Sequence, residues 1–456
     1  MIEKQNKIII VDNSADELER LGKAFLEIGV GCRTFLYETD YDAEPLKNVR
    51  IAFFDINLTL GKEFLSGEEK EEIIKNHSAV LNDLAYAISQ FISIENGPYA
   101  LIFWTKNKEL IDAFIHYVKE REITIPNPII ISHIDKTQIT DDNVGTLPEL
   151  VLDLLNSNEK IKFLFDLENN AKKSGENTLN RIYDILPKND PWGESKQLFE
   201  NLDKVLSKIA ASTLGFEHAK ENPKKAVYEG LLPILNYEFL NSESNVKWND
   251  IVNQLHVAQR YNEIVSPDIN IQHKVNTLYH IEEYTSQTKD FRGSLIEVDK
   301  NSEGILNSFN IDDVNDWISK LLAIKDANAS QLARKTLILD NSKLIVIELS
   351  AACDFSNKKS RINKYILGVL TSNLNDNIET DLNLKSRPEA CYHLGGCCFH
   401  YIGNNHHIFL NLNYVFGAKP DDNRLGNTLF ILKKEIMDML GNKYTSHISR
   451  IGITSF

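Results

Sequence analysis

The stretch Arg50-Ile-Ala-Phe-Phe-Asp-Ile-Asn-Leu58 decides the predicted fold of the N-terminal third of this chain. It is a short, almost wholly apolar run that ends in a carboxylate, which is typical of a strand buried on both faces of a parallel sheet. Asp55 would then lie at the carboxyl edge of that sheet, where open α/β folds bind their ligands. This position makes Asp55 a candidate reactive group.

Length and charge limit what the protein is expected to be. A chain of 456 residues is too long for one hydrophobic core, so we expect more than one domain. Its 50 basic and 65 acidic residues give a net charge of −15, and no block of Lys and Arg stands out on a predicted helix. We therefore expect no nucleic-acid partner.

The apolar runs and the cysteines indicate the compartment. The longest runs, such as Lys7 to Val11 and Lys343 to Leu349, fall far short of the roughly 20 residues that span a membrane. The N-terminus opens with charged residues and lacks a signal-peptide core. Five cysteines, an odd number, do not suggest a disulfide framework. We expect a cytoplasmic protein with reduced thiols and no membrane contact.

Strand and helix patterns alternate over the first third of the chain. Apolar residues recur at helical spacing after Ser14, again from Glu69 to Ile94, and from Lys108 to Lys119. This alternation predicts an α/β fold with a doubly wound, five-stranded parallel sheet. The predicted strands are 7–11, 33–37, 50–54, 99–104 and 129–132.

Polar side chains follow four of these strands. Asp12, Asp55, Thr105 and Lys136 come at or just beyond the strand ends, which meet at one edge of a parallel sheet. Carboxylates and carbonyls suit Mg²⁺, and a carboxylate beside that ion can attack a phosphoryl donor. A hydroxyl and an ammonium group can hold the phosphoryl oxygens. Lys106, next to Thr105, is an alternative to Lys136 as the ammonium.

The order of these strand ends resembles the receiver domain of two-component response regulators, over roughly residues 5 to 140. The resemblance implies that Asp55 is the phosphoacceptor, that Asp12, Asp55 and the carbonyl of Asn57 bind Mg²⁺, and that Thr105 and Lys136 contact the phosphoryl group. The residues involved stand in Ile-Val-Asp12-Asn, Phe-Phe-Asp55-Ile-Asn-Leu and Phe-Trp-Thr105.

The sequence departs from the receiver pattern at several positions. Asn13 stands where the family has a second carboxylate, Thr137 where it usually has proline after the lysine, and His133 where it has a switch aromatic. An insertion at Thr59 to Lys75 separates the acceptor strand from its helix. These departures bear on metal affinity and switching more than on the fold.

Beyond the receiver-like domain, predicted at residues 1–145, the pattern changes twice. Residues 146–265 carry helical periodicity, with Pro233 expected to kink or end one helix. Residues 266–456 form a predicted α+β domain with a hairpin at Asp340-Asn-Ser342 and a final helix at 427–440. Its predicted strands are 294–298, 336–339, 343–349, 364–369 and 407–416.

The C-terminal domain also concentrates thiols and imidazoles. Their spacing matches no strong zinc pattern, and Gly395-Gly396 is interpreted as a hairpin turn, so buried free thiols are the default interpretation. Cys353, followed by Asp354, is an alternative nucleophile that would need a histidine base. The cluster comprises Cys391, His393, Cys397, Cys398 and His400, with His406 and His407 close by.

These features together predict a signalling protein of a phosphorelay. Its partners would be a histidine kinase, which supplies a phosphoryl group to Asp55, and a downstream effector protein. Without a recognisable catalytic or DNA-binding output, it would act through protein contacts or as a phosphate sink, a design that resembles antiphage systems of the Detocs type. The alternatives are an unphosphorylated receiver-like scaffold and an enzyme that uses the C-terminal Cys and His residues.

Overall fold

The structure is a computed structural model of the chain. It describes residues 7–38, 44–58, 70–106, 108–140, 143–282, 288–300, 303–326, 328–350 and 362–449. The chain divides into two compact units, Met1–Glu176 with Phe239–Val257, and Asn177–Glu238 with Ala258–Phe456. The domain boundaries near residues 145 and 265 stay a prediction.

The first unit is built on a five-stranded, all-parallel sheet, as the sequence predicts. The order across the sheet is β2-β1-β3-β4-β5. The chain therefore adds β2 on one side of β1 and then crosses over to add β3, β4 and β5 on the other side. The strands are β1 Ile8–Asp12, β2 Arg33–Leu36, β3 Ile51–Phe54, β4 Ala100–Trp104 and β5 Ile130–Ile134.

Helices cover both faces of this sheet, which explains why its central strands are apolar throughout. Alternate side chains of β3 enter different cores: Ala52 and Phe54 lie in one, Ile51 and Phe53 in the other. Each fully buried Ile or Phe stabilises the fold by about 1.5–3 kcal/mol. The helices are α1 Ala15–Glu27, α2 Lys70–Asn76, α3 Ser78–Phe91, α4 Glu109–Glu120, α5 Leu147–Asn156 and α6 Glu159–Asp184.

Two local features determine where some of these helices begin and end. Ser14 caps α1, because its hydroxyl accepts a hydrogen bond from the backbone N–H of Glu17. The predicted helix from Glu69 to Ile94 is interrupted at His77, which separates α2 from α3. The rest of the Thr59 to Lys75 insertion, before Lys70, lies outside the described residues.

The long helix α6 is fastened to the amino edge of the sheet. Glu168 accepts from Nε of Arg50 at 2.6 Å and pairs with Nζ of Lys7 at 3.0 Å. Arg50 directly precedes β3, whose other end carries Asp55. One strand therefore connects the helix anchor with the candidate site.

The second unit contains an antiparallel sheet, which confirms the predicted α+β class for this part of the chain. The main path across it is β10-β12-β9-β8-β7-β13-β6, and β11 pairs with β12. The strands are β6 Ile281–Glu282, β7 Ser294–Val298, β8 Ser342–Glu348, β9 Asn363–Ser372, β10 Cys391–His393, β11 Phe399–Tyr401, β12 Asn404–Ala418 and β13 Thr428–Leu432.

Helices make up most of the chain between β5 and β6, and others pack against the second sheet. Pro233 lies inside α9, which continues to Leu240, so the helix does not end at this proline. The helices are α7 Lys196–Leu214, α8 Phe216–Glu221, α9 Pro223–Leu240, α10 Trp248–Ile251, α11 Asn253–Val257, α12 Ile269–His280, α13 Glu303–Ser308, α14 Val314–Leu322, α15 Ala329–Asp340 and α16 Lys434–Ile448. No helix in the described ranges has both the length and the apolar character needed to cross a membrane.

Three predictions for the second unit are wrong. Residues 336–339 belong to α15, which Asn328 caps, so Asp340-Asn-Ser342 joins a helix to β8 and is no hairpin. The segment 427–440 begins as β13, and the final helix starts only at Lys434. A short apolar run is compatible with both a strand and a partly buried helix. The strand period of 2 residues and the helix period of 3.6 residues can be told apart only over a longer segment.

Gly395-Gly396 is also not a hairpin turn. β10 and β11 both pair with β12 and not with each other, and a 3₁₀ turn at Leu394–Gly396 joins them. Gly395 has φ +65°, a conformation that favours glycine.

Candidate functional site at the carboxyl edge of the parallel sheet

The sheet brings the predicted residues to one edge. Asp12 is the last residue of β1, and Asp55 directly follows β3, its hydrogen-bonded neighbour in the sheet. Thr105 directly follows β4, and Lys136 comes two residues after β5. Because these four strands are adjacent and parallel, their ends lie side by side.

Lys136 bridges the two carboxylates. Its Nζ lies 3.1 Å from Oδ2 of Asp12 and 2.9 Å from Oδ2 of Asp55. The side chains of Asp12, Asp55 and Lys136 are 1%, 7% and 14% exposed, so the bridge is largely shielded from water. The exposed Lys106, the alternative ammonium, forms no ion pair with either aspartate in the described structure.

Backbone amides hold the other carboxylate oxygens. Oδ1 of Asp12 accepts from the N–H of Ser14 at 2.8 Å, and Oδ1 of Asp55 accepts from the N–H of Asn57 at 3.2 Å. These bonds fix the rotation of both carboxyl groups, so each Oδ2 faces the same ammonium.

Asn13 makes a contact that its sequence position does not reveal. Its Nδ2 donates to the carbonyl of Asn57 at 2.8 Å and to that of Leu58 at 3.3 Å. The side chain of Asn13 therefore ties the loop after β1 to the loop after β3. The carbonyl of Asn57, the predicted metal ligand, already accepts this hydrogen bond.

Burial dominates the electrostatics of Asp12. Desolvation raises the pKa of this carboxyl above its usual value of 3.8, and the nearby charge of Asp55 raises it further. The Lys136 ammonium and the Ser14 N–H oppose this shift and lower the pKa. Asp12 therefore binds a proton more readily than an exposed aspartate, unless another cation approaches it.

Thr105 and its neighbour Trp104 occupy the end of β4. Thr105 is 1% exposed, and its backbone N–H donates to the carbonyl of Ile134 in β5. The buried indole of Trp104 donates through Nε1 to Oε2 of Glu17 at 3.1 Å, and the Arg20 guanidinium lies over its ring. Helix α1 is thus connected to the strand end that carries Thr105.

The donor set fits a hard divalent cation in chemical type. Asp12, Asp55 and the carbonyl of Asn57 offer only oxygen, and an ammonium already lies where the two carboxylates converge. The described residues contain no cluster of three or more His, Cys, Asp or Glu arranged for a metal ion. A cation here would therefore depend on two carboxylates, one carbonyl and water.

The imidazoles of the C-terminal region contact each other or an amide and are not arranged with the thiols as zinc ligands would be. His393 Nε2 lies 3.1 Å from Nδ1 of His407, and His400 Nδ1 contacts Oδ1 of Asn405 at 2.9 Å. Burial lowers the pKa of His393 to about 4 and that of His407 to about 3. These two imidazoles are therefore neutral near pH 7.

The described thiols in this region are also poor nucleophiles. Burial raises the pKa of Cys391 and of Cys397 to about 11 and that of Cys398 to about 12. Nucleophilic and metal-binding cysteines need the thiolate, which these environments disfavour. Cys353, the alternative nucleophile, and the neighbouring Asp354 lie outside the described residues.

Comparison with known proteins adds no assignment. Neither a protein-family model nor a curated protein matches this chain.

Proposed function

We propose that the first unit is a receiver-like phosphoacceptor and that the chain belongs to a two-component phosphorelay, with a histidine kinase as its donor. The observation that carries the proposal is the convergence of Asp12, Asp55 and Lys136 at the carboxyl edge of a five-stranded parallel sheet. These residues come from three separate strand ends, and their order along the chain matches the receiver pattern.

The proposed reaction transfers a phosphoryl group from a kinase histidine to Asp55. A carboxylate oxygen of Asp55 forms a bond to phosphorus while the N–P bond of the phosphohistidine breaks, and the histidine nitrogen keeps the electron pair. The product is an acyl phosphate on Asp55. Mg²⁺ bound by Asp12, Asp55 and the Asn57 carbonyl would neutralise charge on the phosphoryl oxygens.

The chain's own residues then have separate roles in this proposal. Lys136, now held between the carboxylates, would move its ammonium onto a phosphoryl oxygen. Thr105 would donate its hydroxyl to another, which couples the end of β4 to the phosphorylation state. Asn13 would keep the Asn57 loop in place beside Asp55.

The output of the proposed relay is a change in protein contacts, or the storage of phosphate withdrawn from a competing effector. The second mode would correspond to the receiver protein of a Detocs-type antiphage phosphorelay. The raised thiol pKa values make an enzyme based on Cys391, Cys397 or Cys398 the weaker candidate.

Incubation with phosphoramidate or acetyl phosphate and Mg²⁺ tests the proposal. Intact-mass analysis should show one added phosphoryl group, which is lost on brief alkaline treatment, as expected for an acyl phosphate. Asp55→Asn should remove the label, whereas Asp112→Asn, on an exposed position of α4, should keep it. Label that persists in Asp55→Asn, or no label in the parent chain, would favour the scaffold alternative.

A further inference from the structure

A cleft in the second unit has a size suited to a small molecule. Its volume is about 500 Å³, within the range of roughly 300–1,000 Å³ typical of ligand sites. Helix α12, strands β6 and β11, and the residue before α16 contribute its walls. The lining residues are Lys274, Thr277, Leu278, Ile281, Glu282, His400 and Lys433.

The charge of this cleft differs from that of the chain as a whole. Within the described structure, neither Lys274 nor Lys433 forms an ion pair, and Lys433 Nζ donates only to the carbonyl of Leu278 at 2.6 Å. The single acidic lining residue, Glu282, lies 3.8 Å from the Lys225 ammonium. Two ammonium groups without an ion-pair partner among the described residues therefore line the cleft, in a protein of net charge −15.

His400 is fixed in the wall of the cleft from two directions. Thr277 Oγ1 accepts from the backbone N–H of His400 at 2.7 Å and donates to its carbonyl at 2.9 Å. The imidazole is held by Asn405, its cross-strand partner in the β11–β12 hairpin. The hairpin turn at Ile402 and Gly403 has two positive φ angles, +45° and +74°, which keep these strands in tight register.

The contact with Oδ1 of Asn405 favours one tautomer of His400. Oδ1 of an amide only accepts hydrogen bonds, so Nδ1 of His400 carries the hydrogen and donates at 2.9 Å. In the neutral ring, Nε2 is then an acceptor. An acceptor in the wall of a cleft that two lysines also line can recognise a ligand that carries both a negative charge and a hydroxyl.

We propose that this cleft binds a small hydroxylated oxyanion, a phosphate monoester or a carboxylate. Its charge would lie between Lys274 and Lys433, its hydroxyl would donate to Nε2 of His400, and its carbon chain would pack against Leu278 and Ile281. The site uses no residue of the aspartate cluster, so it stands independently of the proposed phosphotransfer.

Calorimetric titration of the full chain with two matched pairs of probes tests this site. Glycerol 3-phosphate is compared with propyl phosphate, and glycerate with propionate, so that each pair differs in its hydroxyl groups. We expect saturable binding of at least one hydroxylated probe, and the pair that binds identifies the oxyanion. Each hydroxylated probe that binds should do so about tenfold more tightly than its partner, since the hydroxyl satisfies His400.

Variants separate the contribution of the two lysine charges from that of the His400 acceptor. The double variant Lys274→Gln/Lys433→Gln should weaken binding at least about tenfold, whereas Lys364→Gln/Lys419→Gln, which removes two exposed lysines elsewhere in the unit, should not. His400→Phe should abolish the preference for the hydroxylated probe. The absence of saturable binding by all four probes at millimolar concentration, or equal binding by both double variants, would overturn the proposal.

Discussion

Lys136 and Asp55 form an ion pair with 2.9 Å between Nζ and Oδ2, although 81 positions separate them in the sequence. The same ammonium contacts Asp12, so one positive charge serves two buried carboxylates. The resting site is therefore held together by its own lysine, and any other cation or phosphoryl group must compete with that contact.

Lys136→Met should destabilise the first unit. Removal of the ammonium leaves two buried carboxylates without their shared counter-charge, and breaking a buried pair in this way costs about 3–5 kcal/mol. Native-state hydrogen exchange of the β1 and β3 amides near neutral pH measures this loss. Lys108→Met, at an exposed position before α4, is the matched control, and added Asp12→Asn should restore part of the stability. Unchanged protection in Lys136→Met would show that the bridge contributes nothing in solution.

Much of the first unit was predictable because its pattern is strong. Strands buried on both faces leave continuous apolar runs, and parallel topology then places Asp12, Asp55, Thr105 and Lys136 at one edge without further information. The predicted segments for β1, β3 and β4 agree with the structure to within one residue at each end. The roles of these residues stay predictions.

Other features depend on contacts that local patterns do not encode. The amide of Asn13 donates to the carbonyl of Asn57, and Arg50 donates to Glu168, which is 118 positions away in the sequence. No local sequence pattern predicts either contact. The run at 336–339 resembled a strand because Thr, Leu and Ile suit both structures, and only the Asn328 cap reveals the helix. The strand order of the second sheet likewise follows from distant pairings, such as β7 with β13.

Asp12→Asn should stabilise the first unit near neutral pH. Because the pKa of Asp12 is raised in the folded protein, the folded state binds the proton more tightly than the unfolded state, and stability falls as pH rises from 3.8 through the folded pKa. The amide avoids that cost, with a gain on the order of 1 kcal/mol. The gain should vanish below pH 3.8, where both states hold the proton. A gain that is independent of pH would contradict this explanation.

Asn13→Asp should raise the affinity for Mg²⁺ by about tenfold or more, because it adds a third carboxylate to a site that otherwise offers two carboxylates and one carbonyl. Asn13→Ala is the control, because it also loses the hydrogen bond to Asn57 but adds no ligand. Titration of tryptophan fluorescence with Mg²⁺ measures both, because Trp104 lies next to Thr105. Equal affinity in the two variants would mean that position 13 does not face the cation.

Glu168→Gln should loosen α6 from the amino edge of the sheet. Burial tends to raise the pKa of Glu168, but hydrogen bonds from Arg50 and Lys7 lower it overall. A lowered folded pKa gives stability that is present above pH 4.5 and is lost as pH falls through the folded pKa. Because Glu168 is 31% exposed and Lys7 is 40% exposed, we expect a loss of about 1 kcal/mol. Native-state hydrogen exchange of the α6 amides measures this loss, and Glu176→Gln, on an exposed turn of the same helix, should change little.

The buried imidazoles of His393 and His407 should make the second unit sensitive to acid. Their folded pKa values of about 4 and about 3 lie below the usual 6.5, so the unfolded state binds protons first as pH falls. Stability is then present above pH 6.5 and lost progressively between 6.5 and the folded values. From pH 7 to 4.5 the loss should be on the order of 5 kcal/mol for the two groups together, measured as protection of the β9 and β12 amides against hydrogen exchange. His393→Gln/His407→Gln should reduce the dependence of stability on pH, although this variant starts from a lower stability. His256→Gln, at an exposed position, should leave the pH dependence unchanged. An equally steep acid transition in the double variant would assign the sensitivity to other groups.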